Sequence, residues 1–198
     1  MFDVEKSLIK SLASEGINQS NEALDWHLER CNAMYVDIRL KDLSKLTSWN
    51  YDDKEIVHKN RAFFTIKGIS AENDFLKKES WCQPIIDQPE IGYLGFLCAH
   101  IEGVLHFLFQ AKIEPGNINS VQLSPTIQAT NSNFTAKHGG RIPYYLELFA
   151  SPENVLTDAL LSEQGGRFLK KRNRNMVIYI DDYREVELHS NYRWMTPQ

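Results

Sequence analysis

Cysteine is scarce in this chain: among 198 residues there are three, Cys31, Cys82 and Cys98, with no CxxC pair. So few and so scattered, they exclude a disulfide framework and fit a reducing cytoplasm. A basic surplus is lacking too. Lys and Arg number 22 against 26 Asp and Glu, a net charge of -4 with a pI near 5.9, which argues against general nucleic-acid binding, where phosphates must be neutralised. No apolar run approaches the ~20 residues of a membrane span, and the opening MFDVEKSLIKSLASEG has no apolar signal-peptide core. Common catalytic patterns are missing: no GxGxxG after a strand, no GxxxxGKS or GxxxxGKT, no HExxH and no GxSxG. Repeats and low-complexity tracts are absent as well. The remaining composition, 42% hydrophobic and 24% charged, is that of one globular domain large enough to bury a core without metals or disulfides.

The most informative stretch runs from Val104 to Gly140. From Val104 to Ile113 the odd positions Leu105, Phe107, Phe109, Ala111 and Ile113 are apolar, while His106, Gln110, Lys112 and then Glu114 fall on even ones, with Leu108 the exception. After a Pro-Gly-Asn turn, Val121, Leu123, Pro125, Ile127 and Ala129 alternate with Gln122, Ser124, Thr126, Gln128 and Thr130. A period of two gives each strand one core face and one polar face. Here the polar face is rich in amides and hydroxyls, with a single Lys and a single Glu. Such a face suits a polyhydroxylated or nucleotide-like ligand; it also suits the solvated side of an antiparallel sheet. Upstream, Tyr93 to Ile101 forms a second strand, and Glu102-Gly103 predicts a tight hairpin pairing Ile101 with Val104, Ala99 with His106 and Gly95 with Gln110. That register puts Leu94, Phe96, Cys98 and His100 with the core face. It leaves open space beside small Gly95 and Ala99 on the other, where Leu97 meets Leu108. His100 reads as a structural histidine, His106 as either structure or site, and the two do not share a face as a zinc pair would.

Elsewhere, Val4 to Ala13 and Asn21 to Met34 read as helices, the second capped by Ser20 and striped by Leu24, Leu28 and Cys31. Tyr35 to Leu40 and Ala62 to Ile69 read as strands. The polar segment Lys41 to Asn60 reads as irregular, and Ala71 to Ser80 as a loop or short helix. Trp81 to Asp87 is a strand placed at an edge by Pro84. A polar loop covers Asn131 to Gly140. Arg141 to Ala150 reads as a helix entered through Pro143, and Pro152 to Ser162 as another, ended by Gly165-Gly166. Met176 to Ile180 is a strand. The expected fold class is therefore α+β: an N-terminal helical segment over 1–34, then one module over 35–198.

The run Arg167, Lys170, Lys171, Arg172 and Arg174 is the one place where anionic charge could concentrate; a solvated positive face reads the same. With it come the segments QPIIDQPEIGYLGFL, HFLFQAKIEPGN, LSPTIQATNSNF, HGG, LLSEQGGRF and KKRNRN. In that order, and with WCQP and the terminal NYRW, the sequence resembles the NDP-hexose 2,3-dehydratases of deoxysugar biosynthesis from about Val36 to Trp194. Better-known members have about twice this length and two related modules, so the chain looks like a single module that pairs with itself as a homodimer. The resemblance implies a Nudix-like mixed or antiparallel sheet flanked by helices. The carboxylates of the Nudix box are absent, so metal-dependent pyrophosphohydrolysis is not expected.

The reaction so implied is loss of water across C2 and C3 of a dTDP-4-keto-6-deoxyhexose, without metal or redox cofactor. Glu114 is the first choice of base and Glu163 its rival. Lys112 would stabilise the enolate, and Tyr145, its neighbour Tyr144, or His138 would protonate the leaving hydroxyl. Arg167, Lys171 and Arg174 would hold the diphosphate. Gln110, Asn117, Gln128, Thr130, Asn133, Gln164 and Asn173 would bind polar edges of the substrate, with Trp81 or Phe134 stacked on the base. Two other readings share these residues, a nucleotide-sugar-binding module without catalysis and an isomerase acting beside the C4 ketone, and a third is an adaptor using the N-terminal apolar stripe instead.

Overall fold

The computed structural model describes residues 2–61, 63–74, 79–130 and 142–198, and for Ser20 and Glu79 the backbone alone. Two helices open the chain, α1 (Val4–Leu12) and α2 (Ser20–Ala33). Asp3 caps α1 by accepting from the Lys6 N–H, and Gln19 caps α2 in a capping box with Glu22, so the cap lies one residue before the expected Ser20. A four-stranded antiparallel sheet follows, in the order β1 (Trp49–Tyr51), β2 (Glu55–His58), β3 (Thr65–Asn73), β4 (Glu79–Asp87).

The second sheet carries the core. Its strands are β5 (Tyr93–Ile101), β6 (Val104–Ile113), β7 (Val121–Ser124), β8 (Ile127–Ala129), β9 (Val155–Ser162), β10 (Arg172–Tyr179) and β11 (Tyr192–Met195). The path is β11-β6-β5-β10-β9, with β7 on β6 and β8 on β5; only β10 with β5 is parallel. A short helix, α3 (Leu146–Ala150), covers one face of this sheet and α1 and α2 the other. The class is α+β with a mixed sheet between helices, as the alternation and the resemblance implied. Among the described residues, no helix is long and apolar enough to cross a membrane.

The hairpin forms as expected at its turn, where Glu102 and Gly103 both take positive φ (50° and 76°), and Ile101 pairs with Val104 and Ala99 with His106. Beyond Cys98 and Phe107 the two strands part. Gly95 pairs with Ile127 instead of Gln110, while Gln110 pairs with Ser124 on one side and Tyr192 on the other. The segment from Val121 to Ala129 enters the fork along β6, turns at Pro125-Thr126, and leaves along β5. At the apex the buried Thr126 hydroxyl accepts from the Leu97 N–H at 3.0 Å and donates to the Leu108 carbonyl.

Several expectations are corrected. The space beside Gly95 is occupied: a Cβ there would come within 2.4 Å of the Phe149 ring, so α3 fills what looked like a ligand cavity, and Leu97 and Leu108 are the centre of the core. His106 is fully buried and structural, with Nδ1 on the Val104 carbonyl and Nε2 accepting from the Ile17 N–H. Residues 155–162 are an edge strand and not a helix, because β10 offers them a free ladder and Arg174 pairs with Asp158 across it. The helix after Pro143 starts only at Leu146, behind Tyr145 in the left-handed region. Tyr35 to Leu40 is not a strand, whereas 49–51 and 55–58 are, fastened by ring contacts of Trp49 with His58 and Phe64. On α2 the buried face carries Trp26; Leu24 and Leu28 face outward, 55% and 50% exposed. The expected loop over Asn131 to Gly140 lies outside the described residues.

Thr126→Val keeps the shape of the side chain but leaves the Leu97 N–H and Leu108 carbonyl without partners. It is expected to cost about 2–4 kcal/mol, read as a lowered urea midpoint at unchanged slope.

Candidate active site

The fork between β5 and β6 opens into a cleft of about 610 Å³. The even face of β6 runs into it. His106 and Leu108 are buried in the core, and the same face continues as Gln110, Lys112 and Glu114 toward water. From β6 come Lys112 and Glu114, from β8 and its exit Gln128 and Thr130, and from the β9–β10 hairpin Glu163, Lys171 and Asn173. Seven residues anticipated from the sequence thus converge. A second cavity of about 350 Å³ shares Lys112 and Gln128 with the first and adds Gln110, Tyr144, Asn191 and Tyr192.

The two carboxylates of the cleft are held differently. Glu114 forms an ion pair with Lys112 at 2.6 Å, its side chain 43% exposed. Glu163 is half-buried and accepts from the Asn173 amide, while its own N–H donates to the Lys171 carbonyl at 3.0 Å. The Lys171 side chain is buried, with its ammonium donating to the Glu90 carbonyl. Burial lowers its pKa from the ordinary lysine value, opposed by the negative charges of Glu90 and Glu163.

Strand alternation splits the basic run. Lys171 and Asn173 face the cleft, whereas Arg174 turns the other way, bidentate on Asp158 with its guanidinium 5.7 Å from the centre of the Tyr93 ring; the Asp158 carboxylate raises the Arg174 pKa. Arg167 and Gln164 are exposed in the β9–β10 connection and do not line the cleft, nor does Trp81, which donates to Gln83 at 2.9 Å. Asn117 closes its own turn by donating to the Ser120 carbonyl at 3.1 Å. Tyr145 is buried outside the cleft and donates to the Glu187 carbonyl at 2.7 Å. Asn133, Phe134 and His138 lie outside the described residues. The cleft residues that pattern reading did not assign to a site are Gln88, Tyr93, Leu94, Pro125, Ala129 and Phe168. Phe168, which bridges to Ile86 of β4, sits within the GGRF segment, the one signal that pointed to it.

The sequence pattern described as NDP-hexose 2,3-dehydratase matches residues 20–198. The chain belongs to this family. It is similar to three curated dTDP-4-dehydro-6-deoxy-alpha-D-glucopyranose 2,3-dehydratases. That of Saccharopolyspora spinosa is 40% identical over 93% of this chain and 38% of its own length. That of Amycolatopsis orientalis is 40% identical over 95% and 42%, and that of Streptomyces violaceoruber 42% identical over 86% and 39%. The chain therefore spans about two fifths of these family members. Among solved structures it is similar to the Ap4A hydrolase of C. elegans, at 12% identity and a TM-score of 0.31 over 55% of this chain and 81% of the hydrolase. A likeness that low carries no argument for the Nudix-like expectation.

Tyr145 is predicted to act in stability and not in turnover. Burial pushes its phenol up to about 12 from the ordinary 10.0, so the fold favours the neutral form. That stabilisation is fully present below pH 10.0 and lost as pH rises through about 12. Absorbance titration at 295 nm should show this phenol ionising late, with stability falling over the same window. Tyr145→Phe should cost about 1 kcal/mol and leave turnover unchanged.

Proposed function

We propose that this chain eliminates water from C2 and C3 of a dTDP-linked 4-keto-6-deoxyhexose. The observation that carries the reading is the convergence of Lys112, Glu114, Glu163, Lys171 and Asn173 on one cleft in a chain of the 2,3-dehydratase family. The size of the cleft is that of an ordinary small-ligand site. Its relatives' names supply the nucleotide and the sugar.

In this reaction the ketone at C4 acidifies the C3 hydrogen. A carboxylate takes that proton, and the C–H electrons pass into an enolate on the C4 oxygen. The enolate collapses as the C2–O bond breaks, the hydroxyl leaving as water with a proton from a donor. The product is an enol that becomes the 3,4-diketo-2,6-dideoxy sugar, so one water is lost and no electrons are exchanged. Lys112, paired to Glu114 at the cleft wall, is the proposed charge opposite the enolate. Tyr144, lining the adjoining cavity, is the proposed donor to the leaving hydroxyl, with His138 the other. Gln110, Gln128 and Thr130 offer hydrogen bonds to the sugar and base. The proposed assembly is a homodimer, supported by the outward Leu24 and Leu28 of α2. The cytoplasmic setting is supported by three free cysteines.

Incubation with dTDP-4-keto-6-deoxyglucose, with a 3-ketoreductase to trap product, should give a species lighter by one water in the mass spectrum. A product of unchanged mass but altered stereochemistry would mean isomerisation; binding of dTDP with no product would mean a module without catalysis. Lys112→Met should lower kcat at least ~10-fold if it stabilises the enolate. Sedimentation velocity reads the dimer.

A further inference from the structure

The carboxylates of the cleft differ in one respect that chemistry can use. Glu114 spends its charge on Lys112 at the water-facing side. Glu163 instead has one oxygen pinned by an amide, and that amide cannot rotate. Asn173 is buried between two elements, its Oδ1 accepting from the Gly92 N–H at 3.0 Å and its Nδ2 donating to Glu163 Oε1. A backbone N–H can only donate, so it fixes the oxygen of the amide toward Gly92 and the NH2 toward the carboxylate. Gly92 makes this approach possible. A Cβ there would lie 2.6 Å from the Ala129 carbonyl oxygen and 3.2 Å from the Asn173 oxygen.

We infer that Asn173 is the positioning residue of the cleft: locked by Gly92, its amide aims the Glu163 carboxylate as the base that takes the C3 proton. This rests on the elimination proposed above, and it divides the work of the two carboxylates, leaving Glu114 to orient Lys112. Among the described residues, the other charged groups that line the cleft with Glu163 are Lys171 from the same hairpin and Lys112 and Glu114 from the end of β6, while Glu90 acts on the Lys171 ammonium. Arg172 and Arg174 alternate onto the far side of β10.

The test is the pH profile of kcat/KM for the wild type, Glu163→Gln, Glu114→Gln, Asn173→Ala and Asn173→Asp. Asn173→Asp keeps the shape and the bond to Gly92 but turns a second carboxylate toward Glu163, which raises its pKa. The acid limb should move up by roughly one pH unit or more, with KM little changed. Asn173→Ala releases the carboxylate without adding charge and should lower kcat through lost positioning, with KM little changed. Glu163→Gln should lose at least ~100-fold in kcat, while Glu114→Gln leaves the acid limb in place. Carboxyl titration of 13C-glutamate-labelled protein by NMR reads the same rise at Glu163 without any turnover. An acid limb and a Glu163 titration that both ignore Asn173→Asp would overturn the assignment, as would a limb that moves with Glu114→Gln instead. Wild-type protein that releases no water would sink the dehydratase reading alone, with the titration still deciding whether Asn173 governs Glu163.

Discussion

One hydroxyl holds the architecture open. Two antiparallel strands left to themselves continue their ladder to the end, and a continuous ladder has no room between its members. The Thr126 side chain interposes itself where β5 and β6 would go on pairing, taking the Leu97 N–H and giving its own proton to the Leu108 carbonyl. Both backbone groups stay satisfied in the dry interior, as burial demands, so the strands can diverge at no cost in unpaired polar groups. The chain then lines both arms of the fork with β7 and β8. The cleft is the gap this wedge maintains.

A second constraint follows from the pleat. Because β6 keeps one face throughout, the residues that anchor the core and those that address the cleft follow one another along it: His106 and Leu108 are buried, and Gln110 and Lys112 continue the same face into the cavities. The chemistry is therefore mounted on a strand whose other end is immobilised by packing. The same geometry acts on β10, where neighbours in a basic run face opposite ways. Only Lys171 reaches the cleft, and it does so buried, with a backbone carbonyl as its partner. The charge of the site is thus set by position along a strand more than by the density of lysine and arginine in the sequence.

Much of this was legible beforehand, and the failures have physical causes. Alternation over β5 and β6, the Glu102-Gly103 turn and the polar face ending in Lys112 and Glu114 depend on local geometry, so the pattern carried them. Residues 155–162 deceived because Leu156, Ala159 and Leu160 suit a helix as well as a strand; the vacant edge of β10, a fact of tertiary structure, decided it. Gly95 looked like empty space because the filler, Phe149, comes from a distant helix. Arg174 reads as a phosphate ligand in the sequence, whereas in the fold Asp158 pairs with it across the ladder. The pairing of Asn173 with Glu163 across the β9–β10 hairpin, and the Gly92 contact that orients it, join segments whose proximity no periodicity announces.

The segment between α1 and α2 ties the beginning of the fold to its last strand. Asn18 donates to the Trp194 carbonyl, 176 residues away, and accepts from the Arg193 guanidinium at 2.7 Å. A ribosome delivers residue 18 long before residue 194, at about 5–20 residues per second. For several seconds, then, the helices are outside the ribosome with neither β6 nor β11 to receive them, and their apolar faces are open to solvent. The helices can dock on β6 once it is made, but the contacts that Asn18 makes with Arg193 and Trp194 must wait for β11.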